Sequence, residues 1–114
     1  EKYGVDIFLG IGGGPEGVLA ASALKAYGCN FQGRFLFDTD EDKKRAKLMG
    51  IKDHQKKYEL EEIVSGDSIF CATGITSGDL VSGIKVENNK FSSETLITHS
   101  SCGLKKIIKT KQDI

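Results

Sequence analysis

Eight residues near the start of the chain, Gly10-Ile11-Gly12-Gly13-Gly14-Pro15-Glu16-Gly17, have the types and spacing for chemistry on oxyanions. Glycines let a ligand approach the main chain and let the main chain take unusual angles. A helix opening just behind them offers N–H groups without intrahelical partners, reinforced by the positive end of the macrodipole. Pro15 suits the first turn of such a helix, where its missing N–H costs nothing. Glu16 then sits where an anion would dock. Two like unit charges about 4 Å apart repel by roughly 4 kcal/mol at an effective dielectric of 20. A divalent cation between the carboxylate and a phosphate reverses that sign, so the loop reads as a metal-plus-phosphate site.

Two other readings of the loop stand beside this one. Gly12-x-Gly14-x-x-Gly17 fits the glycine fingerprint of dinucleotide-binding domains, and Asp38 follows about 20 residues on, where a ribose-binding acid belongs. A Rossmann-like module using Gly12, Gly14, Gly17 and Asp38 is therefore one alternative. The other is a non-catalytic interaction domain. An acid in the first turn stabilises any helix by about 0.3–1 kcal/mol, and glycines also permit tight packing. Arg34 could reach a substrate phosphate, and Thr73 and Thr76 an anion, but surface pairing and turn packing explain them more simply. His54 and His99 have no partner at zinc spacing, and Cys-x-x-Cys is absent. No nucleophile elbow is visible, and the serines beside His99 read as surface strand residues. No catalytic residue is assigned within the chain.

The elements that must position the loop follow from pattern. Val5 to Leu9 predicts a strand, and Val18 to Tyr27 a helix that is apolar on nearly every face, with Gly28 as its left-handed cap. Phe31 to Phe37 is a second strand candidate, interrupted by Gly33 and Arg34. Thr39-Asp40-Glu41-Asp42 resembles a capping box opening a helix that runs to about Met49 and ends at Gly50. A short amphipathic turn, Glu59 to Val64, precedes a third, buried strand at Ser68 to Ala72, which empties into the loop Thr73 to Asp79. Gly83 to Glu87 and Phe91 to Thr98 read as a hairpin through Asn88-Asn89. Gly103 to Lys109 is a last strand before a polar tail. This order predicts an α/β fold: a mixed sheet with a parallel βαβαβ half and an antiparallel hairpin half, helices packed on the sheet.

Length and composition set the outer bounds. A chain of 114 residues suits one domain and should bury roughly two thirds of its unfolded surface. Sixteen basic and sixteen acidic side chains cancel, which argues against nucleic acid or an anionic membrane as partner and makes the lysine runs solvated faces. No apolar stretch approaches a membrane span, and no signal peptide is visible. Cys29, Cys71 and Cys102 read as buried free thiols in a reducing compartment, which makes the cytoplasm the default. The chain opens at Glu1-Lys2 without methionine and is in a predicted strand by Val5, so a piece of a larger protein is expected.

The residues Val5 to Ala21 closely resemble a block of the class II fructose-1,6-bisphosphatases, the GlpX type. The likeness continues through Gln32-Gly33-Arg34, through Gly66-Asp67-Ser68-Ile69-Phe70-Cys71-Ala72-Thr73-Gly74, and through Gly78-Asp79-Leu80-Val81-Ser82-Gly83. The resemblance implies a Mg²⁺- or Mn²⁺-dependent phosphatase that removes the 1-phosphate of fructose 1,6-bisphosphate in gluconeogenesis. It implies that Glu16 is a metal ligand and that Gly13 contacts substrate. Where the family usually has alanine before the proline, this chain has Gly14. The family's other metal carboxylates and its basic substrate-binding segment lie upstream of this region. Residues 1–114 thus resemble a single C-terminal α/β part of a larger two-domain sugar bisphosphatase. The expected partners are the missing N-terminal domain, the sugar bisphosphate and, for the full-length protein, further copies of itself. The apolar first helix would be covered by that domain or by a neighbouring subunit.

Overall fold

The computed structural model describes residues 4–114. Three helices and six strands follow in the order α1 (Gly14–Ala26), β1 (Gln32–Gly33), α2 (Asp40–Leu48), β2 (Tyr58–Glu59), α3 (Leu60–Ile63), β3 (Ile69–Thr73), β4 (Lys85–Glu87), β5 (Lys90–His99) and β6 (Leu104–Asp113). Helix and sheet are mixed, as expected. The parallel half is not: every strand pair among the described residues is antiparallel.

The local signals hold. Gly28 and Gly50 take φ of +67° and +93° just past α1 and α2. Behind each, the next two N–H groups fold back onto the helix: Gly28 to Lys25 O and Cys29 to Leu24 O, then Gly50 to Lys47 O and Ile51 to Ala46 O. Left-handed glycine endings of this kind satisfy carbonyls the helix would otherwise leave bare. At the start of α2 the Asp42 N–H donates to Thr39 Oγ1 at 3.1 Å. Asn88 and Asn89 both take positive φ, 51° and 57°, and turn β4 into β5.

β5 is the centre of the main sheet. β6 pairs along its whole length, while β3 and β4 share the opposite edge end to end. The predicted polar tail is in fact strand, because β6 runs to Asp113. Opposed charges hold that register, with Lys109 3.0 Å from Glu94 and Lys90 3.1 Å from Asp113. α1 packs on β3 and β5. Ala21, Ala26 and Leu96 are buried, and Thr98 with them. β3 alternates between exposed and half-buried residues rather than being buried throughout. Lys25 ties α1 to α3 and the turn after it, donating to Glu61 at 2.7 Å and to the Val64 and Gly66 carbonyls at 2.8 Å.

Val5 to Leu9 forms no strand. Ile7, Phe8, Leu9 and Ile11 are each more than three quarters exposed. A strand exists only through hydrogen bonds to a neighbour, and no described segment pairs with this one. Only two residues of the Phe31–Phe37 candidate pair, Gln32 and Gly33 against Glu59 and Tyr58. Phe35 instead packs against Phe37 and Tyr58, and Phe37 against His54. The three cysteines are free but exposed, not buried: Cys29 follows α1, Cys71 is on β3 and Cys102 is in the β5–β6 turn. The solvent-accessible surface is 9058 Å². A compact monomer of 12.4 kDa exposes about 6,100 Å² and its unfolded chain about 18,000 Å². The chain therefore buries about half of its unfolded surface rather than the expected two thirds.

Candidate functional site

The glycine loop ends where α1 begins. Gly13 is the N-cap in an extended conformation and offers no side-chain cap; Pro15 and Glu16 fill the first turn. Gly17 N–H makes the first intrahelical bond, to Gly13 O at 3.0 Å. The preceding helical N–H groups have no intrahelical partner. The Glu16 carboxylate is exposed and lies over the bare Cα of Gly13, in space that a Cβ at that position would fill. The structure thus brings together the two residues singled out as metal ligand and substrate contact. It also explains why residue 13 must be glycine if the carboxylate is to keep this position. Gly14 carries no such constraint, since a Cβ there would meet only Phe35 at 3.8 Å.

Glu16 is an exposed hard-oxygen donor at a positive helix end, which fits one ligand of a hard divalent cation. Among the described residues, no group of three or more His, Cys, Asp or Glu side chains could hold a metal. The other sequence candidates lie elsewhere. Arg34 and Asp38 line one cleft of about 530 Å³ with Lys43, Lys52, Asp53 and His54. That cleft does not include Gly12, Gly14 or Gly17, and no parallel strand pair flanks the loop, so the dinucleotide reading loses its geometry. Thr73 Oγ1 is 2.8 Å from Thr95 Oγ1 across the sheet, which satisfies it structurally.

The loop between β3 and β4 is closed by two buried glycines, Gly74 and Gly83. Ile84 N–H donates to Ile75 O and Gly83 N–H to Ser77 Oγ, both at 3.0 Å. Ser82 N–H donates to Glu94 Oε2 at 2.9 Å, and that bond, followed by the Lys109 ammonium, lowers the Glu94 carboxyl to about 2. Glycine is required at both ends because a Cβ would strike main chain: Ser82 O in one case, Ser77 N and Thr76 C at 2.6 Å in the other.

Sequence reasoning missed one constellation. His99 has no partner at zinc spacing in the sequence, yet its Nε2 lies 2.6 Å from Asp67 Oδ2 and its Nδ1 lies 3.3 Å from Cys102 Sγ. The three residues meet because β3 and β5 run antiparallel, with Ile69 opposite His99. The clue was available: pairing Ser68–Ala72 antiparallel to Phe91–Thr98 puts Asp67 beside the His99–Cys102 turn.

Comparison with known proteins places these features in context. A family model described as bacterial fructose-1,6-bisphosphatase, glpX-encoded, matches residues 1–112. A Haemophilus influenzae protein named fructose-1,6-bisphosphatase class 2 is 42% identical over 107 residues, which are 82% of this chain and 32% of that protein. A Synechococcus protein named D-fructose 1,6-bisphosphatase class 2/sedoheptulose 1,7-bisphosphatase is 38% identical over 110 residues, 85% of this chain and 32% of that protein. A Gloeobacter violaceus protein of the same name is 32% identical over 120 residues, 94% of this chain and 35% of that protein. The chain spans about a third of the length of the curated relatives it matches.

Proposed function

This chain belongs to the bacterial, glpX-encoded fructose-1,6-bisphosphatase family, and we propose that it forms one wall of a sugar-bisphosphatase site built around Glu16. The observation that carries the reading is the Glu16 carboxylate, exposed in the first turn of α1 and seated over Gly13. Mg²⁺ or Mn²⁺ held there would neutralise phosphate charge and supply an activated water. Glu16 gives that cation one oxygen ligand from a rigid helix end. Gly13 lets a phosphate or sugar oxygen approach the main chain, and the free N–H groups of the first turn favour an anion beside it. One carboxylate is too few to hold such a cation tightly. The other ligands and the basic substrate contacts come from the part of the full-length protein that this chain does not span. The substrate is fructose 1,6-bisphosphate, cleaved at the 1-phosphate, with the seven-carbon analogue in reserve because several relatives carry both names.

The surface area supports a further element of this reading. An excess of about 3,000 Å² over a compact monomer is what a large protein interface covers. The exposed Val5–Ile11 segment and the outer face of α1, with Val18 and Leu19 about half exposed, lie against the remaining domain or a second subunit of a homo-oligomer. No helix of the described residues is long and apolar enough to cross a membrane. Three free thiols and the relatives' metabolic names suit a cytoplasmic enzyme.

The test is release of phosphate from fructose 1,6-bisphosphate by the full-length protein in the presence of Mn²⁺. Residues 1–114 alone are expected to be inert. A full-length protein inert towards sugar bisphosphates, or one stabilised against heat by NAD and not by Mn²⁺, contradicts the proposal.

A further inference from the structure

Cys102 differs from the other two thiols. All three are exposed, but among the described residues only Cys102 has an imidazole beside it, with Sγ 3.3 Å from His99 Nδ1. The second ring nitrogen, Nε2, lies 2.6 Å from Asp67 Oδ2 and 3.1 Å from Ser101 Oγ. Asp67 is itself anchored. Its Oδ1 accepts from the Ser100 hydroxyl at 2.7 Å and from the Ser68 and Ser101 N–H groups at 2.9 Å. The Ser100 hydroxyl and then His99 hold the Asp67 carboxyl far below the usual carboxylate range, so it is ionised at neutral pH. A carboxylate can only accept, so in the neutral ring Nε2 carries the proton and Nδ1 is the acceptor that faces the thiol. Nucleophile, base and base-orienting acid therefore stand in line, each on a separate anchor: the β5–β6 turn, the end of β5 and the turn just before β3.

What such a constellation can do depends on what surrounds it. Neither the cleft at Arg34 nor the groove beside Lys25 reaches Cys102 or His99. Thiol–disulfide exchange asks only for an accessible thiolate and a collision. We propose that Cys102 is a nucleophilic thiol that exchanges with small disulfides, His99 acting as its base and Asp67 as the positioning residue for His99. In the step, the thiol proton passes from Sγ to His99 Nδ1. The sulfur then attacks one sulfur of the disulfide, a new S–S bond forms and the old one breaks. The departing thiolate takes the proton from the imidazolium. The protein thiol is oxidised to a mixed disulfide while half of the small disulfide is reduced to a free thiol, so atoms and electrons balance.

The intact protein is incubated with glutathione disulfide, and each modified cysteine is located by peptide mass over time. Cys102 is expected to gain a glutathionyl group about tenfold or more faster than Cys29 and Cys71. His99→Asn is expected to bring the Cys102 rate down to theirs and leave theirs unchanged. The far-UV circular dichroism and melting temperature of His99→Asn are expected to match those of the parent, so that the lost rate reports the missing base and not a lost fold. Equal rates at the three cysteines of the unmutated protein overturn the proposal without any variant. So does an undiminished Cys102 rate in His99→Asn.

Discussion

Replacing Gly83 with alanine tests whether steric closure of the β3–β4 loop dictates its glycines. A Cβ at Gly83 would stand 2.6 Å from Ser77 N, 2.6 Å from Thr76 C and 2.7 Å from Ile75 O. Ordinary contact begins at 3.4 Å, so each of three main-chain atoms must retreat by about 0.7 Å or more. None is the end of a flexible side chain, and the strain cannot be shed by a rotamer change. Overpacking of this kind costs about 1–3 kcal/mol. The movement also endangers the Gly83–Ser77 and Ile84–Ile75 hydrogen bonds, worth about 1 kcal/mol each. The expected loss is about 2–4 kcal/mol, which lowers Tm by roughly 10–20 °C for a chain of this size. The assay is thermal unfolding followed by circular dichroism, with Gly78→Ala as the matched control. Gly78 lies in the same loop with nothing within 4 Å of a built Cβ and no positive φ, so its substitution stays within about 0.5 kcal/mol of the parent. A Gly83→Ala protein melting within a few degrees of the parent, or an equal loss in both variants, refutes the steric argument.

Gly14→Ala is expected to raise stability by about 0.5–1 kcal/mol through helix propensity and unfolded-state entropy. Denaturant titration checks it, and a loss would show that the helix start needs glycine. Stability is also expected to fall with pH through Glu94. Its folded carboxyl is lowered to about 2 from the usual 4.5, so its contribution is complete above 4.5 and vanishes as pH drops towards 2. Urea midpoints measured across that window should decline in the parent and decline less in Glu94→Gln.

Local chemistry in the sequence was a good guide wherever a residue acts on its own neighbours. Thr39 caps α2, Gly28 and Gly50 end their helices in the left-handed region, and Asn88-Asn89 makes the hairpin turn. Strand direction was not legible, because helices between strands suggested crossovers while the strands beside α2 are two-residue pairs. The apolar Val5–Leu9 segment has strand composition but no hydrogen-bonding neighbour within the described residues, and composition cannot supply one. The Asp67–His99–Cys102 line was hidden because the pairing of β3 with β5 was not foreseen, and the line exists only in that antiparallel register. The position of Glu16 in the first turn of α1 was legible because it depends on sequence-local features: a glycine N-cap, a proline and the helix that follows.

That carboxylate is where the account is most directly tested. The full-length protein and its Glu16→Gln variant would be titrated with Mn²⁺ at fixed fructose 1,6-bisphosphate while phosphate release is followed. Glutamine keeps the shape of the side chain and removes the charge and one hard-oxygen ligand position. The account predicts that the variant needs about tenfold or more Mn²⁺ for half-maximal activity, or loses activity throughout. Superimposable Mn²⁺ curves for the two proteins would contradict it.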